Sequence, residues 1–115
     1  MALSKDQILN ADDQKIEKVD VPEWGGEVCI KTMSGHQRDK YESDCIKASE
    51  RKDFVNMRAK LAVLTICDEE GNLVFDEKEI NSLTRKSASA LEKVFAASCK
   101  LNGITDDDVK ELEKN

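Results

Sequence analysis

The sequence predicts an α+β fold that is mainly α-helical, a small domain of four to five helices with a short N-terminal antiparallel β-hairpin. Three observations predict it. Apolar residues recur at three- and four-residue steps from Phe54 to Ile66 or Cys67 and again from Ala90 to Leu101, the period of a helix that buries one face. Val19 and Val21, then Val28 and Ile30, alternate on either side of "PEWGG", the period of a half-buried strand. Capping residues stand ahead of the helical runs, which fixes where each one starts.

In chain order, Ser4 and Gln7 have capping-box spacing, so a short helix runs to about Asn10, and its Leu3, Ile8 and Leu9 need something to pack on. Gly25 and Gly26 can supply the positive φ of a tight turn between the two valine-bearing strands. Pro22 lacks an amide hydrogen and is tolerated at a strand end, so the hairpin is marginal alone and must lie on helices. Ser34 or Gly35 caps a helix to about Ser49 with Tyr41, Cys45, Ile46 and Ala48 on one side. "ERKD" breaks it, and Asp53 is placed to cap the Phe54, Met57, Leu61, Leu64 helix, with Arg58 and Lys60 turned outward. Asp76 and Glu79 repeat the capping-box spacing ahead of Ile80 and Leu83. Ser87 starts the last long helix, with Ala90, Leu91, Val94, Phe95, Ser98, Cys99 and Leu101 on its apolar side, and Asn102-Gly103 ends it. Thr105 to Asp108 caps a final short helix through Leu112.

No Gly/Ser-rich linker, repeat or low-complexity tract divides residues 1–115, so a single domain with a modest core is expected. Both ends are highly polar and are expected to be loosely ordered in an isolated molecule.

Charge narrows the function. A net charge of -6 argues against binding a nucleic-acid backbone, which needs clustered Lys and Arg. The sign alternates in blocks: seven acids against three bases in 1–27, five against eight in 28–66, six against one in 67–83, one against four in 84–101 and five against two in 102–115. Such blocks read as a solvated surface, or as charge-complementary docking to a partner or to another copy. Only five aromatic residues make a large aromatic ligand cavity improbable.

Cys29, Cys45, Cys67 and Cys99 form no CxxC pair, and His36 is the sole histidine, so zinc spacing is absent. No apolar run follows Met1 and no stretch approaches a membrane span, so a cytosolic chain with reduced, core-forming thiols is expected.

"CDEEGNLVFDEKEI" from Cys67 to Ile80 invites a calcium reading, which the ligand positions of an EF-hand test. With Gly71 at position 6, position 1 is Ile66, which has no ligand side chain. With Asp68 at position 1, position 6 is Leu73. Neither register works. The stretch reads instead as a polar turn, a short apolar segment at Leu73, Val74 and Phe75, and a helix cap at Asp76. Substituting Asp68 or Glu70 is expected to change little, and losing Gly71 or Phe75 to cost stability.

Nothing points to catalysis. His36 has no evident nucleophile beside it, and the many acids make coincidental pairs certain. No phosphate loop, cofactor motif or metal site is expected. An interaction protein remains, with Trp24 at the hairpin tip as the candidate partner contact, either an anchor for the hairpin or an exposed hot spot.

The order of the pieces adds a family. "LSKDQILNADD", "VDVPEWGGEVCIKTMSGHQRDKYE" and "DEEGNLVFDEKEINSLTRKSASALEKVFAASCKLNGITDDDVKELEKN" together resemble the tail assembly chaperones of long-tailed bacteriophages and prophages. The most telling pieces are "VPEWGG" with "MSGHQRD", and "SASALEKVFAASCKLNG" with "DDVKELEKN". The resemblance covers nearly the whole chain and carries no active site.

It implies a non-enzymatic protein of the host bacterial cytoplasm, absent from the mature virion. Such a protein binds the tape measure protein, keeps it soluble and helps recruit tail tube subunits. It also implies self-association, and a longer frameshifted form that contacts the tail tube protein, with this chain as the short form. The family offers no partner-binding residues to carry over by position. Any of Met33, Met57, Phe75 and Phe95 that lies outside the core joins Trp24 as a candidate client contact, with Met57 and Phe95 expected in the core. The alternative reading is a small acidic cytosolic adaptor or regulatory module, with a metal-responsive form, one that calcium would change, among its versions.

Overall fold

Antiparallel pairing organises the first third of the chain. In the computed structural model, which describes residues 1–104, β1 (Ile16–Val21) pairs with β2 (Gly26–Lys31) in a register that sets Val19 opposite Val28 and Val21 opposite Gly26. A 3₁₀ turn at Pro22–Trp24 joins them and closes on Gly25 at φ 81°, a conformation that glycine adopts without a Cβ penalty. Before the hairpin, α1 (Lys5–Asn10) carries the expected capping box: Ser4 Oγ accepts the Gln7 amide at 3.2 Å and Gln7 Oε1 accepts the Ser4 amide at 2.8 Å.

After the hairpin, α2 (Gly35–Arg51) opens on the same box from Ser34 and Gln37. Lys52 then takes a left-handed conformation, and α3 (Met57–Thr65) begins later than the sequence suggests. Asp53 does not cap it. Its Oδ1 accepts the Val55 amide at 3.1 Å in a local turn, and Asn56 is left-handed at φ 73°, so Phe54 and Val55 sit in the turn.

Ile66 and Cys67 also depart from the helical reading. They form β3 (Ile66–Cys67), antiparallel to β2, with Ile66 opposite Ile30 and Cys67 opposite Cys29. The sheet order is β1-β2-β3. Extended backbone there satisfies the edge of β2 that a helix would have left unpaired. Leu73 makes a single bridge to Cys67, so the expected apolar segment is strand-like at one point only. A 3₁₀ turn at Glu77–Glu79 with the Asp76 box leads into α4 (Ile80–Thr84). Ser87 caps α5 (Ala88–Leu101), and Gly103 is left-handed beyond it.

The helices give the sheet its partner. Val21 and Ile30 on one face pack with Ala59, Ala62, Val63, Leu83, Ala90 and Val94. A second cluster of Met33, Tyr41, Leu61 and Ile104 holds α2 to α3. Successive α3 residues Leu61 and Ala62 belong to different clusters, so this helix is buried on more than one side. The Thr65 hydroxyl donates to the Leu61 carbonyl at 2.8 Å and meets Ser98 Oγ at 3.0 Å, which satisfies two fully buried polar side chains between α3 and α5.

Asn102 proves to be more than a stop. Its Oδ1 accepts the Met33 amide at 2.6 Å, its Nδ2 donates to the Ser98 carbonyl at 2.9 Å, and its own carbonyl accepts Arg38 Nη1 at 3.0 Å. The start of α2 is thereby tied to the end of α5.

Asp68 is likewise no bystander. Its Oδ1 accepts the amides of Glu70 and Asn72, each at 2.9 Å, and these bonds hold its carboxyl below its usual range. Substituting it should therefore unsettle the loop, contrary to the sequence expectation. Gly71 is left-handed at φ 90°, as a position sensitive to substitution should be. Among the described residues no helix is long and apolar enough to cross a membrane. The helix expected from Thr105 lies outside the described residues.

Candidate interaction surface

The reactive side chains are placed as structure. His36 is exposed in the first turn of α2, and among the described residues no three metal-ligating side chains converge. The cysteines, far apart in sequence, come together in twos. Cys29 and Cys67 are direct cross-strand partners, while Cys45 and Cys99 both act on Tyr41. Burial pushes the Cys45 and Cys67 thiols up, and it raises the Tyr41 hydroxyl well above its ordinary value, so all three stay protonated and pack as near-neutral groups.

Trp24 is half-buried and packs against the sheet-side core. Its indole N–H is buried and finds no acceptor among the described residues. The turn that carries it is fastened to α5. Both Glu23 oxygens accept Lys93 Nζ, at 2.6 and 2.7 Å, and Ser89 Oγ donates to Glu23 at 2.5 Å. Those bonds lower the Glu23 carboxyl from 4.5 to about 2. Beside Trp24 lies an apolar hollow of about 220 Å³, bordered by Phe75, Ser82, Leu83 and Lys86.

A second hollow of about 230 Å³ opens between the turn before α3 and the start of α5. It is bordered by Phe54, Val55, Met57, Arg58, Lys86 and Leu91 among others. Lys86 borders both. Phe54 is 44% exposed and Val55 70%. Of the other side chains named from sequence, Met33 is buried, and Met57, Phe75 and Phe95 are half-buried against the two clusters. The structure thus brings Trp24 and Phe75 to one hollow and Met57 to the other, and leaves Met33 and Phe95 with the α2-side core.

Sequence reasoning placed Phe54 on a helical stripe and passed over Val55. Asp53 and Asn56, two turn-forming residues flanking adjacent apolar ones, were the available signal. A further apolar group stands at α1, where Leu3 ahead of the cap and Ile8 and Leu9 in the helix are exposed and no helix residue is buried.

The family model for phage tail assembly chaperones matches residues 4–115. Among solved structures, the fold is similar to that of the bacteriophage HK97 tail assembly chaperone. The TM-score is 0.61 over 88% of this chain and 95% of the other, at 18% sequence identity, a likeness of fold alone. No curated protein matches the chain.

Proposed function

The chain belongs to the phage tail assembly chaperone family, and from that premise we propose that it acts without enzymatic chemistry, by holding the tape measure protein in soluble form. Its place of action is the host cytoplasm. Recruitment of tail tube subunits, a longer frameshifted form that contacts them, self-association and absence from the mature virion complete the proposed role.

The observation that carries the client-holding step is the exposure of Phe54 and Val55 beside a hollow that shares Lys86 with the Trp24 hollow. A holding chaperone that uses no nucleotide must bury client apolar side chains by surface complementarity, while its charged exterior keeps the complex dissolved. An apolar recess beside Trp24 and a mixed one edged by the exposed Phe54 and Val55, on a highly charged chain, suit that task. Trp24 is the proposed partner contact, because a large ring beside a hollow can bury client area and its N–H remains to be satisfied.

Co-expression tests this reading. The tape measure protein should be insoluble alone and soluble when this chain is produced with it, the two eluting together. A tape measure protein that stays in the pellet at equal expression would sink the reading.

A further inference from the structure

Phe54 and Val55 are held in place by their own turn. Asp53 Oδ1 accepts the Val55 amide, and Lys52 and Asn56 on either side keep left-handed backbone at φ 54° and 73°. A turn fixed this way presents its two apolar side chains at little cost in ordering entropy when a partner arrives.

The charge around them departs from that of the chain as a whole. The segments that line the hollow, residues 54–59 and 84–91, hold three Lys and Arg and no Asp or Glu, although the chain carries a net -6. Arg58 is already engaged, with Glu92 at 2.5 Å and over the Phe95 ring at 5.8 Å. Lys86 on the rim, and Lys52 and Arg85 beside the lining residues in sequence, carry no ion pair among the described residues.

We propose that the hollow beside Phe54 and Val55 is a docking groove for an amphipathic helix with acidic flanks, supplied by a client protein. This rests on the client-holding reading above and specifies the chemistry of the segment held. A recess edged by two exposed apolar side chains accepts apolar side chains that recur every three or four residues, as on one face of a helix. Carboxylates flanking those anchors meet Lys86 on the rim and the charges of Lys52 and Arg85, which lie beside the lining residues in sequence, while a helix with basic flanks is repelled.

Two synthetic helical peptides without tryptophan test it, both with one leucine face, one flanked by glutamates and the other by lysines. Binding to the full chain is followed by calorimetry and by fluorescence of its single tryptophan. The acidic peptide should bind at least about tenfold more tightly than the basic one, and added salt should weaken it. Val55→Asp and Lys86→Glu should each reduce acidic-peptide affinity by about tenfold, and Lys86→Glu should improve basic-peptide affinity. Both positions are exposed, and an unchanged circular dichroism spectrum shows that each variant is folded.

Equal binding of the two peptides, no binding of either, or an unaltered affinity in Val55→Asp would overturn the proposal. So would a gain in affinity on removing residues 1–10, which would make α1 the groove's own occupant. If the peptides fail while co-expression still keeps the tape measure protein soluble, the groove is wrong and the chaperone reading stands. Failure of both removes the reading as well.

Discussion

α1 and α2 begin alike. In each, a serine hydroxyl accepts the amide three residues on at 3.2 Å, and a glutamine returns the bond at 2.8 or 2.9 Å. The surroundings then diverge. The residue before the cap is Leu3 in one helix, 66% exposed, and Met33 in the other, 9% exposed. α1 buries nothing, whereas α2 buries Tyr41, Ala48 and Ser49, is tied through Arg38 and Met33 to Asn102, and pairs Lys40 with Glu77. A capping box therefore says where a helix starts and is silent on whether it is packed. An isolated helix of six residues is unstable in water, so α1 depends on its cap, while α2 is held mainly by its contacts.

The largest expected effect breaks the contacts of α2. Tyr41 is buried between α2, α3 and α5, next to Leu61, Cys45 and Cys99. Tyr41→Ala should cost about 3 to 5 kcal/mol, the range for emptying a large buried aromatic site. Urea denaturation measures it directly. A loss below about 1 kcal/mol would mean that α2 is no better packed than α1, and the contrast between them would disappear.

A smaller effect sharpens the same contrast. Ser34→Ala should cost about 1 kcal/mol of global stability, because the α2 cap belongs to the cooperative unit. Ser4→Ala removes the equivalent hydroxyl bond but should change stability by less than about 0.3 kcal/mol, because fraying of α1 is a local event. Far-ultraviolet circular dichroism should register the fraying. Equal losses in the two variants would show that α1 is docked and folds with the rest.

The same division explains what the sequence could reveal. Caps and turns are local, and Ser4, Ser34, Asp76, Ser87, Gly25 and Gly103 all do what their spacing predicts. The hairpin was legible for the same reason. β3 was not, since Ile66 and Cys67 fit a helical stripe equally well, and only the open edge of β2, thirty-six residues earlier for the Ile30–Ile66 pair, decides in favour of a strand. Asn102 also escaped notice, because its partners Met33 and Arg38 lie far away in sequence. Of the candidate surface, Trp24 was legible as a lone aromatic at a turn. Phe54 and Val55 were not, because the competition between a local Asp53 turn and an earlier helix start is settled by small energies that periodicity does not register.

The smallest effect concerns how the Trp24 turn is fastened, a tie that α1 lacks among the described residues. Lys93 and Ser89 hold the Glu23 carboxyl at about 2 against its ordinary 4.5. A carboxylate whose folded value is depressed adds stability above its unfolded value and loses that contribution as the pH falls towards the folded one. The contribution of Glu23 should therefore be complete above about pH 5 and disappear between there and about pH 2. Because the pair lies at the surface, salt should shrink the effect. Glu23→Gln keeps the shape and removes the charge, so its stability should fall less steeply than that of the unaltered chain over this window. Asp68, also held below its usual range, acts in the same direction in both proteins and cancels from the comparison. Parallel curves for the two would mean that Lys93 does not fasten the turn, and that the orientation of Trp24 is set by its packing against the core alone.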